Sequence, residues 1–242
     1  MRRRFFGIKF FLAAFCGVIT CLAVLASPYF SIKALDFSGH NVYSEAFLSS
    51  RMGLDPGGGD SIFYRSARGM ERQLEALPYI KHARVAKQFP GTLEVAVTER
   101  IPRALVLDEK LNIFLTICDN AYVLGINDRL DSGLPVISGI KLAGYSVGHE
   151  LVSDGGVNQM TTVTRLSMIL ARYGSENISR VDISDPADIK LFINNVTVRI
   201  GSMDGAEEKI LMALSCVEAI SPVVTGTLHA YNTNSMHLSI GR

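Results

Sequence analysis

Phe89-Pro90-Gly91-Thr92-Leu93-Glu94-Val95-Ala96-Val97-Thr98-Glu99-Arg100 is the stretch from which the fold is read. Leu93, Val95 and Val97 alternate with Glu94, Ala96 and Thr98, the period-two pattern of a strand with one buried face. Phe89-Pro90-Gly91-Thr92 is turn chemistry, so Ala83 to Phe89, carrying Arg84, Lys87 and Gln88, is the other arm of a hairpin. Upstream, Ala67, Met70, Leu74 and Leu77 recur at helical spacing and predict an amphipathic helix over about Ser66 to Ala76, ended by Pro78. A shorter helix is predicted between Ser44, whose hydroxyl can cap it, and Gly53, which stops it, with Phe47, Leu48 and Met52 inward. Ile32 to Phe37 supplies a first strand before the turn residues Ser38-Gly39-His40-Asn41. The order strand, helix, helix, strand, strand over 32–100 predicts a small sheet covered on one face by two helices.

Beyond Ile101-Pro102 the texture changes to many short strands. Ala104 to Leu107, Ile113 to Ile117, Ala121 to Leu124, Ile178 to Ile183, Lys190 to Ile193, Val196 to Ile200, Thr227 to Tyr231 and Met236 to Ile240 all read as strands. Leu134 to Gly139 reads as extended. Helices are predicted from about Val157 to Tyr173, with Met160, Val163, Leu166, Ile169 and Leu170 inward. A last one, capped by Asp204, contains Ile210, Leu211, Leu214 and Val217, and Glu207-Glu208 complement its dipole. The fold class is α+β, with 101–242 forming a mainly antiparallel β domain with flanking helices.

The N-terminus is of another kind. Arg2, Arg3, Arg4 and Lys9 precede an uncharged run from Phe10 to Ile32. About 23 residues make a helix of roughly 34 Å, enough for a hydrocarbon core of about 30 Å. A transmembrane helix is expected over 10–31 and a cytoplasmic tail over 1–9, because the basic flank stays inside and the bulk of the chain lies outside. Val24-Leu25-Ala26 also passes as a leader cleavage site before Ser27, but the apolar run exceeds the usual 7–15 residues of a cleaved leader. Ala13, Gly17 and Cys21 fall four apart and form a candidate face for packing another membrane helix.

The 242 residues carry a net charge of +1, which gives no basic field for nucleic acid. Gly57-Gly58-Gly59 is followed by Asp60, which repels phosphate, so it reads as a flexible loop. His40, His82, His149, His229 and His237 have no metal-ligand spacing, and no metal or cofactor is expected. No catalytic residue is assigned. Cys118 and Cys216 read as two independent buried thiols, although an oxidising compartment permits a disulfide. What remains is the final hairpin. It is either a plain closing hairpin or a sheet edge open to an added strand, with Tyr231 as an aromatic anchor and Ala230, Thr233, Met236 and Leu238 around it.

The order of features resembles the bacterial cell-division family FtsQ/DivIB. The resemblance is carried by Phe37-Ser38-Gly39-His40-Asn41, by Leu74 through Val85, by Phe89 through Val95, and by Glu99-Arg100-Ile101-Pro102-Arg103-Ala104. Leu134 to Gly139 and Glu208-Lys209-Ile210 extend it. It implies a POTRA domain over 32–100 and a non-catalytic inner-membrane scaffold that is largely periplasmic and sits at the division septum. It implies partners resembling FtsB and FtsL on the C-terminal β edge, and other division proteins on the POTRA domain. By position Tyr231 matches an aromatic that follows Asp-Leu-Arg in the family, where this chain has Leu228-His229-Ala230. A POTRA-containing envelope transport module is the alternative, and a membrane-tethered hydrolase is a third reading to which no catalytic residue is assigned.

Overall fold

The structure, a computed structural model, describes residues 12–20, 22, 27–55, 57–130, 133–173, 177–219, 225–232 and 235–240. The chain divides into two units, Met1–Glu99 and Arg100–Arg242.

In the first unit residues 12–20 are helical and exposed, and Pro28–Phe30 forms a short 3-10 turn. Then come β1 (Ala34–Ser38), α1 (Glu45–Arg51), α2 (Ala67–Glu75), β2 (Ile80–Gln88) and β3 (Thr92–Glu99). The sheet order is β1-β3-β2, with β1 parallel and β2 antiparallel to β3. The capping hydroxyls act as their positions predict: Ser44 Oγ accepts from the Phe47 N–H at 3.3 Å and Ser66 Oγ from the Gly69 N–H at 3.2 Å. Leu93, Val95 and Val97 face the core, where they pack with Leu48, Met52, Met70 and Leu74. Phe47 departs from expectation: it is 45% exposed. Leu48 and Met52, four apart, define the buried stripe of α1, and Phe47 sits about 100° round the helix from Leu48. It stacks on Tyr43 at a centroid distance of 5.2 Å.

Among the described residues no helix is long and apolar enough to cross a membrane. Part of the expected span, residues 10, 11, 21 and 23–26, lies outside them, as does the tail over 1–9.

The second unit contains β4 (Ala104–Asp108), β5 (Ile113–Ile117), β6 (Val123–Asn127), β7 (Val136–Ser138), β8 (Leu142–Gly144) and β9 (Val152–Ser153). Next along the chain are α3 (Gly156–Tyr173), β10 (Ile178–Asp182), β11 (Ile189–Ile193), β12 (Val196–Gly201), α4 (Ala206–Glu218), β13 (Gly226–Asn232) and β14 (Ser235–Ile240). Nine strands make one sheet in the order β14-β13-β12-β11-β10-β7-β4-β5-β6, while β8 and β9 pair separately. The sheet is mixed: β7 runs parallel to both β4 and β10, and β13 runs parallel to β12. Parallel neighbours need a long crossover, and α4 supplies the one between β12 and β13. The core joins Val163, Leu166 and Leu170 of α3 and Ile210, Ala213 and Val217 of α4 to the inward rows of the strands.

Two local readings are corrected. The strand expected at Ala121 begins at Val123, because Asn120 and Ala121 take positive φ of 63° and 55° in a 3-10 turn. Asp204 does not cap α4; the cap is Gly205 in the left-handed region, and Asp204 accepts from the Ser202 hydroxyl at 2.9 Å. Leu211 is 44% exposed, because the inward stripe of α4 is Ile210, Ala213 and Val217.

Glu207 lies in the first turn of α4, but its carboxylate is also claimed by α3. It accepts from the Arg172 guanidinium and the Tyr173 hydroxyl, each at 2.6 Å, and these hold its carboxyl below the usual range, Tyr173 foremost. Lys209, 8% exposed, sends its ammonium to the carbonyl oxygens of Ile200 and Ser202 at 3.0 and 3.4 Å, tying α4 to the end of β12.

Candidate functional site

Sheet order decides which backbone a partner can reach. β13 lies between β12 and β14, so the strand that carries Tyr231 is interior. Among the described residues the outer strand at this end is β14, paired on one side only. Ala230 is fully buried and its methyl belongs to the core. Leu228 and Leu238 are cross-strand partners, Leu228 in the core and Leu238 packed partly buried against it. Met236 lies on β14. Thr233 lies outside the described residues. Of the membrane-helix candidates, Ala13 and Gly17 are exposed on the helical stretch and Cys21 lies outside the described residues.

Tyr231 is 46% exposed. Its ring lies over Gly201, where a Cβ would stand 3.0 Å from the ring edge and φ is +70°, so glycine is required twice over. Its hydroxyl donates to Asp188 Oδ1 at 3.4 Å. Asp188 is gripped by both Nε and Nη2 of Arg199, at 2.9 and 2.5 Å, and Lys190 stands 3.8 Å away. That fork first, and the neighbouring charges after it, holds the Asp188 carboxyl below the ordinary carboxylate range. The Arg199 guanidinium also sits 5.7 Å from the Tyr231 ring centroid. An aromatic ring is therefore fixed in place by a charged clamp, with one face turned outward.

The register extends this patch into a row that reading the residues singly missed. Lys190 pairs with Arg199, Arg199 with His229, and His229 with His237. Val198, Leu228 and Ala230 fill the core, so the alternating residues Arg199, His229 and Tyr231 share the opposite face. The row runs from β11 to the outer strand. Period-two alternation in Val196-Thr197-Val198-Arg199-Ile200 was the available signal for the outward arginine.

In the first unit the two edges of the small sheet differ. Glu71 and Glu75 of α2 accept from the backbone N–H groups of Val85 and Ala83, at 2.9 and 3.1 Å, which occupies donors along β2. Among the described residues β1 has no such cover from α2. It borders a groove of about 820 Å³ lined by Lys33, Leu35, Phe37, Ser49 and Leu54.

Cys118 is buried, its thiol donating to the Asp119 carbonyl oxygen at 3.4 Å, and Cys216 packs half-buried against the core. Among the described residues no group of three or more His, Cys, Asp or Glu side chains is gathered to hold a metal ion.

Comparison with known proteins fits this architecture. Residues 30–100 match the model of the POTRA domain, FtsQ-type. The cell division protein DivIB of Clostridium tetani (strain Massachusetts / E88) is 25% identical over 190 residues, 78% of this chain and 70% of its own length. The DivIB of Clostridium acetobutylicum is 25% identical over 205 residues, 84% of this chain and 78% of its own. The cell division protein FtsQ of Syntrophotalea carbinolica (strain DSM 2380 / NBRC 103641 / GraBd1) is 27% identical over 209 residues, 82% of this chain and 68% of its own. Residues 30–100 are thus a POTRA domain of the FtsQ type, followed in the chain by a large mixed sheet. Over most of its length the chain is similar to bacterial cell-division proteins named DivIB and FtsQ.

Proposed function

We propose that the chain is a membrane-tethered scaffold of the bacterial division machinery. A single span over 10–31 holds 1–9 in the cytoplasm and the POTRA domain (32–100) and β domain (101–242) outside it, at the septum. Division proteins resembling FtsB and FtsL add a strand to β14, and other division proteins use the POTRA domain, where the β1 edge and its groove are the better-disposed surface. The observation that carries this reading is the one-sided pairing of β14 beside the clamped ring of Tyr231. An outer strand presents backbone donors and acceptors that only another strand satisfies in full. The row Lys190, Arg199, His229 favours an acidic residue on the incoming segment.

Two experiments test it. Depletion in the native host yields smooth filaments with segregated DNA and no septa; normal septa with a leaking envelope would instead assign the chain to envelope transport. Tyr231→Lys keeps a pairing partner for Asp188 and leaves the fold intact, and it reduces co-purification with the FtsB-like protein. Undiminished capture removes Tyr231 from the binding edge.

A further inference from the structure

Three separate stretches of the POTRA domain bring exposed aromatic rings to one end of its sheet. Tyr29 and Phe30 leave the apolar N-terminal run, Phe63 and Tyr64 lie before α2, and Phe89 sits on the β2–β3 turn. Tyr29 is 61%, Phe63 38%, Tyr64 71% and Phe89 59% exposed. Four of the rings form a chain of contacts: Tyr29 to Phe30 at 5.1 Å, Phe30 to Phe63 at 5.1 Å, and Phe63 to Phe89 at 5.2 Å. Lys33 stands over Tyr29 at 5.6 Å.

The backbone fixes this cluster rigidly. Ile32 N–H donates to the Asp60 carbonyl at 2.8 Å, Ile62 N–H to the Phe30 carbonyl at 2.9 Å, and Lys33 N–H to the Gly91 carbonyl at 2.8 Å. A Cβ on Gly91 would stand 2.2 Å from the Ser31 carbonyl oxygen, so only glycine lets the hairpin turn close on that segment. Ile32 and Ile62, at 1% and 0% exposure, fasten it to the core. Rings held outward by so many bonds are a built surface.

We propose that this aromatic foot rests in the lipid–water interface and seats the POTRA domain on the membrane. The proposal builds on the membrane-tether reading above. The occupant is set by chain continuity: the uncharged run that begins at Phe10 reaches Tyr29 and Phe30 at its C-terminal end, so a membrane holding the residues before them lies against this end of the domain. Tyrosine and lysine flanking an apolar ring cluster have the amphipathic chemistry of interfacial residues, with apolar bodies in the acyl boundary and polar tips in water. The far end of the sheet is elsewhere. Glu99, which accepts from the Asn41 and Val42 N–H groups, lies seven residues along β3 from Thr92, about 23 Å at 3.3 Å per residue.

The chain contains no tryptophan, so a single introduced one reports alone. The full chain carrying Tyr64→Trp, Phe89→Trp or, as the far-end reference, Val42→Trp is reconstituted in phosphatidylcholine–phosphatidylglycerol vesicles, with and without brominated acyl chains. Flotation of each variant with the vesicles first establishes the tether; chains that fail to float overturn the tether reading and the foot with it. Among floating chains, the proposal expects Tyr64→Trp and Phe89→Trp emission to shift to the blue and be lost to bromine, with Val42→Trp unaffected. Floating chains in which all three are equally insensitive to bromine overturn the foot alone. A blue shift that grows with protein density and ignores bromine also overturns it, and identifies the occupant as a second copy of the chain.

Discussion

Tyr231 and Arg199 are held by one carboxylate: Asp188 receives the tyrosine hydroxyl at 3.4 Å while it is forked by the guanidinium. The aromatic at the proposed binding edge is therefore positioned by a charge on a loop two strands away, and its orientation depends on that charge. Asp188→Asn removes the charge and loosens the fork. Because the folded-state pKa of Asp188 lies below its unfolded value, its stabilisation is present above about pH 4 and is lost as the pH falls through the folded pKa. Urea unfolding of the parent chain and of Asp188→Asn should differ at pH 7 and converge in acid. A gap that stays constant across that range would refute the assignment.

Ala230 and Tyr231 are adjacent but on opposite faces, and they predict opposite outcomes. Ala230→Asp places a carboxylate in the core and lowers stability by about 3 kcal/mol. Tyr231→Lys leaves the unfolding midpoint nearly unchanged and acts on partner capture alone. Thermal unfolding of the two variants side by side checks the face assignment directly.

Glu71 and Glu75 cover the β2 edge. Glu71→Ala frees the Val85 N–H and costs about 1 kcal/mol, below the roughly 1.5–3 kcal/mol of a bond to a charged acceptor because the site is only part-buried. Amide exchange at Ala83 and Val85 should accelerate in the Glu71→Ala, Glu75→Ala double variant, while Leu93 and Val95 on the central strand stay protected. Equal acceleration on both strands would mean that the acids support α2 packing and do not shield the edge.

Lys209→Met keeps most of the buried stem and removes the ammonium, leaving the Ile200 and Ser202 carbonyl oxygens without that donor. A loss of about 1–3 kcal/mol is expected in denaturant unfolding.

The POTRA domain was legible residue by residue because its signals are local. Ser44 and Ser66 each cap the helix that begins at the next residue, Leu93-Val95-Val97 alternate, and Met70-Leu74 repeat at helical spacing. The β domain was legible as strands and illegible as a sheet. Nothing in Thr227 to Ile240 tells which arm of the hairpin is outermost; that is set by β13 docking parallel to β12 after α4 crosses over, a contact between distant residues. The same holds for the charged clamp, since Asp188 and Arg199 meet only through the β11–β12 hairpin. Where local chemistry misled, a neighbour was taking the group: Ser202 occupies Asp204, and Tyr173 and Arg172 share in Glu207, which dipole chemistry alone had explained.

β7 has three residues, yet among the described residues it is the sole join between β4-β5-β6 and β10-β11-β12-β13-β14 in the nine-stranded order. Ile137 pairs with Val106 on one side and Val181 on the other. A large sheet stitched by so short a seam is two backbone ladders sharing one keystone strand and one core. Each ladder has antiparallel pairs of its own, and the seam closes when residues far apart in the chain meet. Opening at Ile137 would unpair the two ladders and leave the β14 end intact in its own pairing, held to the rest of the sheet through the shared core.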